Sequence, residues 1–119
     1  MPREKRFKLR ADLIKPLINR MGGCFATDYI TVDGSPVGYM YREAPDHDVD
    51  SGWRFFSGKE TEQYTNDPDN SGIYEVNTIA NYDPAIIPFL SAPIGSAFGR
   101  VSGTDKFEPE EFEAEDGET

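Results

Sequence analysis

The run Val37-Gly-Tyr-Met-Tyr-Arg-Glu43 constrains this chain more than any other segment. Successive side chains of a strand point to opposite faces, so Val37, Tyr39 and Tyr41 share one face while Met40 and Arg42 share the other. Trp53-Arg-Phe-Phe56 reads as a further strand, antiparallel to residues 37–43 across a polar loop at 44–52. Upstream, Cys24–Thr27 and Tyr29–Val32 are rich in strand formers, and Asp33-Gly34 supplies a turn signal before Val37. Ile73–Val76 and residues 94–102 complete the strand candidates. An antiparallel sheet built from segments 24–32, 37–43, 53–57, 73–76 and 94–102 is the expectation.

Helical signals are short. Leu9, Leu13, Ile14, Leu17, Ile18 and Met21 fall at helical spacing, which predicts a helix over 11–21 that must start late or kink at Pro16 and end at Gly22-Gly23. Ser57-Gly-Lys-Glu60 has the form of a capping box and predicts a helix over 59–65. Asn77 is placed to cap a turn, and Asp83-Pro84 reads as N-cap and first helical residue within a helical stretch at 78–90. The fold class is therefore α+β: a single small domain at residues 9–106, an antiparallel β-sheet with short helices packed on one face. A basic flexible N-terminus at 1–8 precedes it, and an acidic disordered tail at 107–119 follows.

Charge narrows the partners. The net charge is −10, and it is segregated: residues 1–20 hold seven bases and two acids, the remainder five bases and twenty acids. An acidic body repels nucleic acid and anionic membrane and steers a basic protein toward itself. The single cysteine, Cys24, has no partner for an internal disulfide, and no apolar run precedes it, so the expected location is cytoplasmic.

A catalytic reading finds little to stand on. His47 is the only histidine, within Asp46-His47-Asp48-Val49-Asp50. The alternating aspartates resemble the first half of a calcium loop, but Ser51 and Ser57 occupy the places where glycine and glutamate are needed. Asp67-x-Asp69-x-Ser71-Gly72 fails in the same way at Thr78. No spacing joins Cys24 to His47 as nucleophile and base, and no glycine loop has the context of a phosphate site. The expectation is a protein that is not an enzyme and needs no metal and no cofactor. A small metal-dependent enzyme using loop 46–50 is the rival, and a ligand-binding module with a pocket lined by Tyr39, Tyr41 and Trp53 is a third class.

Recognition has the better case. Tyr39, Tyr41, Trp53, Phe55, Tyr74 and Tyr82 lie in segments that should pair, with Arg42 and Arg54 in the same strands. Trp, Tyr and Arg dominate interface hot spots. In a chain this short most of the rings are also needed as core, and each arginine has acids nearby to pair with.

Four runs carry a family likeness: Asp33–Glu43, Asp50–Phe55, Asn77–Pro84 with Ile87-Pro88, and Gly95-Ser-x-Phe98. Together they resemble the immunity protein thirty-three family over roughly residues 22–102. The resemblance implies a bacterial polymorphic-toxin immunity protein, which binds a cognate toxin and blocks it, and it brings no catalytic residues. The expected partner is a protein. The expected contact combines the acidic loop, through Asp46, Asp48 and Asp50, with Arg42 and Trp53 as neighbouring anchors.

Overall fold

A computed structural model describes residues 5–110 of the 119-residue chain. Its elements are β1 (Gly23–Thr27), α1 (Asp28–Thr31), β2 (Tyr39–Arg42), β3 (Asp50–Phe56), α2 (Glu62–Thr65), β4 (Ser71–Glu75), α3 (Val76–Tyr82), β5 (Ala97–Arg100) and β6 (Phe107–Pro109). Short 3-10 turns lie at Ala11–Leu13, Pro68–Asn70 and Pro84–Phe89. The strands form one sheet in the order β4-β1-β3-β2-β5-β6. The α+β class, a sheet with a few short helices, is therefore correct, although α2 stands beside the sheet face opposite to α3.

The sheet is mostly antiparallel, with one exception. β1 runs parallel to β3, with Phe25 opposite Arg54 and Ala26 opposite Phe55. This corrects the expected all-antiparallel sheet. The chain turns at Asp33-Gly34 as the dipeptide demands, with Gly34 at φ +81°. Residues after Thr27, however, leave the sheet as the helical turn α1, and β3 takes the place beside β1. Tyr29 to Val32 are thus not strand.

One face of the sheet makes the core. Cys24 and Ala26 from β1, Met40 from β2, and Trp53 and Phe55 from β3 are buried against Ile30, Val76, Ile79, Ala80, Ile86 and Leu90. Trp53 and Phe55 lie almost parallel, 5.9 Å apart between centroids. The indole N–H of Trp53 donates to the Leu90 carbonyl at 3.1 Å, so burial leaves no unsatisfied donor. Asp83 caps the Pro84–Phe89 turn by accepting from Ala85 N, as its sequence position implied. It also accepts from Val37 N and pairs with Arg100. Gly52 is required where it stands: its φ is +90°, and a Cβ would lie 2.2 Å from the Glu43 carbonyl oxygen.

At the carboxyl end, β6 pairs with β5 through Gly99↔Glu108 and Arg100↔Phe107, and Glu110 N donates to the Ala97 carbonyl. Residues 107–110 thus lie on the sheet, beyond the expected boundary at 106. The disorder expected of 111–119, and the flexibility expected of 1–4, fall outside the described residues. Residues 5–8 are tied down: Lys5 pairs with Asp28 at 2.9 Å, and Lys8 N donates to the Thr31 carbonyl at 2.7 Å.

The expected helix over 11–21 is absent. After Ala11–Leu13 the chain runs as an irregular arm across α3. Pro16 deprives a helix interior of one donor, and two asparagines supply the bonds that a helix would have made internally. Asn77 Oδ1 accepts from Leu17 N (2.8 Å) and Ile18 N (3.2 Å), and its amide donates to the Lys15 carbonyl at 2.8 Å. Asn81 accepts from Lys15 N at 2.9 Å and donates to the same carbonyl at 2.8 Å. Asn77 therefore grips the arm and does not cap α3, whose N-cap is Glu75. Replacing both asparagines with alanine should release the arm. Hydrogen exchange at the Lys15, Leu17 and Ile18 amides should rise about ten-fold or more, since each net bond is worth roughly 1 kcal/mol, while amides of β3 keep their protection.

Candidate functional site

The second sheet face carries no core helix among the described residues. Cross-strand register places Ile73, Phe25, Arg54 and Tyr41 in one row across it, with Phe56 and Tyr39 in the next. Phe56 touches three rings: Phe25 at 5.6 Å, Tyr41 at 5.9 Å and Tyr39 at 6.2 Å between centroids. All four rings are half-buried, and Ile73 at the β4 edge is 72% exposed. A surface of partly exposed rings flanked by an exposed aliphatic has the composition of an interface centre.

Arg54 sits in the floor of this face and organises it. Its Nη1 and Nη2 donate to the two carboxylate oxygens of Asp50 at 2.9 and 2.8 Å, and its Nε donates to Glu43 at 2.7 Å. The planar guanidinium matches a carboxylate with two parallel bonds, which fixes orientation as well as charge. The two side chains are only 9% and 7% exposed. Asp50 also accepts from Asp46 N and Gly52 N. The hydrogen bonds from Arg54 hold the Asp50 carboxyl far below the ordinary carboxylate range, and Asp50 in turn pushes Arg54 up. This pair ties the start of β3 to loop 44–49 and sets where the loop projects.

A concavity of about 510 Å³ lies over the pair, with Phe25, Tyr41, Phe56, Ile73 and His47 among its walls. A second, of about 390 Å³, lies between Tyr39, Tyr41 and Phe56 on one side and Gly58–Thr65 on the other. The capping box forms its bonds here, with Glu60 accepting from Ser57 N and Gly58 N, but α2 begins later, with Thr61 as its N-cap.

The structure separates the five residues expected at the partner site. Asp46 is 82% exposed and Asp48 is exposed, both on the loop at the rim of the open face. Asp50 belongs to the same loop but is consumed by Arg54, so it shapes the rim without presenting charge. Trp53 is 0% exposed and lies on the opposite, helix-covered face, so it is not a surface anchor. Arg42 shares that core face. Its Nε donates to the Ser51 carbonyl at 2.9 Å, its Nη1 donates to the Ala92 carbonyl at 2.8 Å, and its guanidinium lies 5.8 Å from the Trp53 ring. Arg42 braces two chain segments on the helix-covered face. A pocket lined jointly by Tyr39, Tyr41 and Trp53 does not form, because the rings lie on opposite sides of the sheet.

The rings of the open face were marked by alternation. Tyr39 and Tyr41 pair with Phe56 and Arg54 in the β2–β3 ladder, so all four point away from Met40 and Trp53. Phe25 and Ile73 join them only through the β1 pairings, which no local pattern signals. Among the described residues no group of three or more His, Cys, Asp or Glu side chains could hold a metal ion. Cys24 is buried, and desolvation pushes its thiol far up, so it carries no thiolate at neutral pH. No described helix is long and apolar enough to cross a membrane.

No curated protein and no solved structure matches the chain. A family model described as the Immunity protein Imm33 domain matches residues 24–110, the stretch that contains the open face and the acidic loop; this chain belongs to the Imm33 immunity protein family.

Proposed function

We propose that this protein neutralises a protein toxin by binding it, without catalysis, through the open sheet face. The observation that supports the reading is the row of half-buried rings left outside the core, at the rim of which Asp46 and Asp48 project. Membership of an immunity protein family supports a toxin as the partner. Exposed rim charges act mainly on encounter, and desolvated rings mainly on residence time. The acidic body favours a basic toxin surface, and the cytoplasm is where such a complex would act.

The test has two stages. Each reading frame adjacent to the gene is expressed alone and with this chain; one should arrest growth, and co-expression should relieve it through a stoichiometric complex. If no toxic neighbour is relieved, the reading fails. With the toxin in hand, Asp46→Asn with Asp48→Asn should slow association several-fold at low ionic strength and flatten its salt dependence, with dissociation unchanged. Unaltered association kinetics would place the contact on another face. Asp50 is left intact in this variant because it holds Arg54.

A further inference from the structure

The concavity between Tyr39, Tyr41, Phe56 and the segment Gly58–Thr65 has a chemistry of its own. One wall is aromatic. Tyr39–Tyr41, Tyr39–Phe56 and Tyr41–Phe56 lie 5.8, 6.2 and 5.9 Å apart, so the three rings form one surface. The other wall carries Glu60 and Glu62, and among the described residues no lysine, arginine or histidine lines the space. Glu60 is held as a carboxylate: it accepts from Ser57 N at 2.8 Å, Gly58 N at 2.9 Å and the Thr27 hydroxyl at 2.5 Å. A third acid, Glu110, lies over Gly99, which pairs with Tyr39.

Nearby cations are spoken for. Lys59 turns its ammonium over the Tyr29 ring, 5.4 Å from the centroid. Arg54 is bound by Asp50 and Glu43. Among the described residues none of Glu60, Glu62 and Glu110 has an ion-pair partner. Burial first, then the charges of Glu110 and Glu43, push the Tyr39 and Tyr41 phenols up, as expected in a negative field.

We propose that this concavity receives an arginine side chain projecting from the toxin, stacked on the rings of Tyr39, Tyr41 and Phe56 and paired with Glu62. This rests on the toxin-binding reading for the source of the arginine. The choice follows from complementarity. An acidic group is repelled, and an apolar group would strip water from carboxylates without replacing it. A lysine offers a compact, strongly hydrated charge, whereas a guanidinium is planar, weakly hydrated and able to stack on a ring while its edge meets a carboxylate.

The pocket can be tested before any toxin is known. The isotope-labelled full chain is titrated with N-acetyl-arginine amide and, separately, with its neutral isostere N-acetyl-citrulline amide, and chemical shifts are followed. The arginine probe should move the Tyr39, Tyr41 and Phe56 ring signals and the Gly58 and Thr61 amides. Citrulline should bind about five-fold more weakly or worse. Raising salt from about 50 to about 300 mM should weaken the arginine probe. Glu62→Gln, at an exposed position, should weaken binding several-fold, while Asp12→Asn on the distant arm should not. Shifts spread over the whole acidic surface, equal binding of citrulline, or indifference to Glu62→Gln would each overturn the proposal. Growth relief without the arginine site removes this proposal and leaves the toxin reading. Arginine binding with no toxin relieved keeps the arginine pocket and removes the toxin as the source of that arginine.

Discussion

Trp53→Ala is expected to lose about 4 kcal/mol of stability, enough to unfold much of a small domain's population. The side chain is fully buried between the sheet and the Leu90 segment. Its removal opens a large cavity and also leaves the Leu90 carbonyl without its donor. The Arg42 guanidinium loses the ring beside it. Trp53→Phe separates these effects: it keeps a ring and loses the N–H, and should cost about 1–2 kcal/mol. Urea melts of the two variants provide the measurement. Because Trp53 faces away from the proposed interface, Trp53→Phe should bind the toxin with unchanged dissociation. A dissociation rate that rises with Trp53→Phe while the fold stays intact would show that the interface lies on the helix-covered side.

Trp53 also shows where sequence reasoning stops. Alternation correctly sorts β2 and β3 into two sets, Tyr39 and Tyr41 apart from Met40 and Arg42, but it misplaces Val37, which precedes β2 and is buried in the core. It does not say which set faces the helices, because both contain rings and both contain an arginine. The decision is made by elements distant in sequence: Val76, Ile79, Ala80 and Ile86 cover the Trp53 side. Turn chemistry was legible where it is local, as at Asp83-Pro84 and Gly34. The parallel β1–β3 pairing was not, since a turn signal fixes direction of travel without naming the neighbouring strand. The arm at 14–20 misled for a related reason. Its apolar spacing suits a helix, yet Asn77 and Asn81 compete for the same backbone groups, and only the tertiary structure brings them there. The acidic loop was read as three equivalent charges. Asp50 differs from Asp46 and Asp48 because Arg54, four residues on, lies on the same face of β3 and takes its carboxylate, whereas the largely exposed Asp46 reaches the same guanidinium only at 3.9 Å.

That pair should make stability depend on pH in a defined direction. Arg54→Met at neutral pH removes the partner of a nearly buried carboxylate and is expected to cost about 3 kcal/mol or more. Glu43 is more exposed and loses less. Asp50 is depressed in the folded protein relative to an unfolded value near ~3.9. A depressed acid contributes stability that is complete above its unfolded pKa and declines as pH falls toward the folded one. The wild-type protein should therefore weaken from about pH 5 downward. In Arg54→Met the guanidinium that lowers Asp50 is gone, so the same acidification costs less and the gap between the two proteins narrows. Urea melts at several pH values between about 7 and about 3 provide the measurement. A gap that stays constant across this range would assign the loss to the arginine's packing and not to its charge. The consequence reaches the interface as well. With Arg54 absent, loop 44–49 loses the anchor that directs Asp46 and Asp48, so association with the toxin should slow even where the fold survives. Asp46→Asn with Asp48→Asn should then add little further slowing in the Arg54→Met background, because both changes act on the same presented charge.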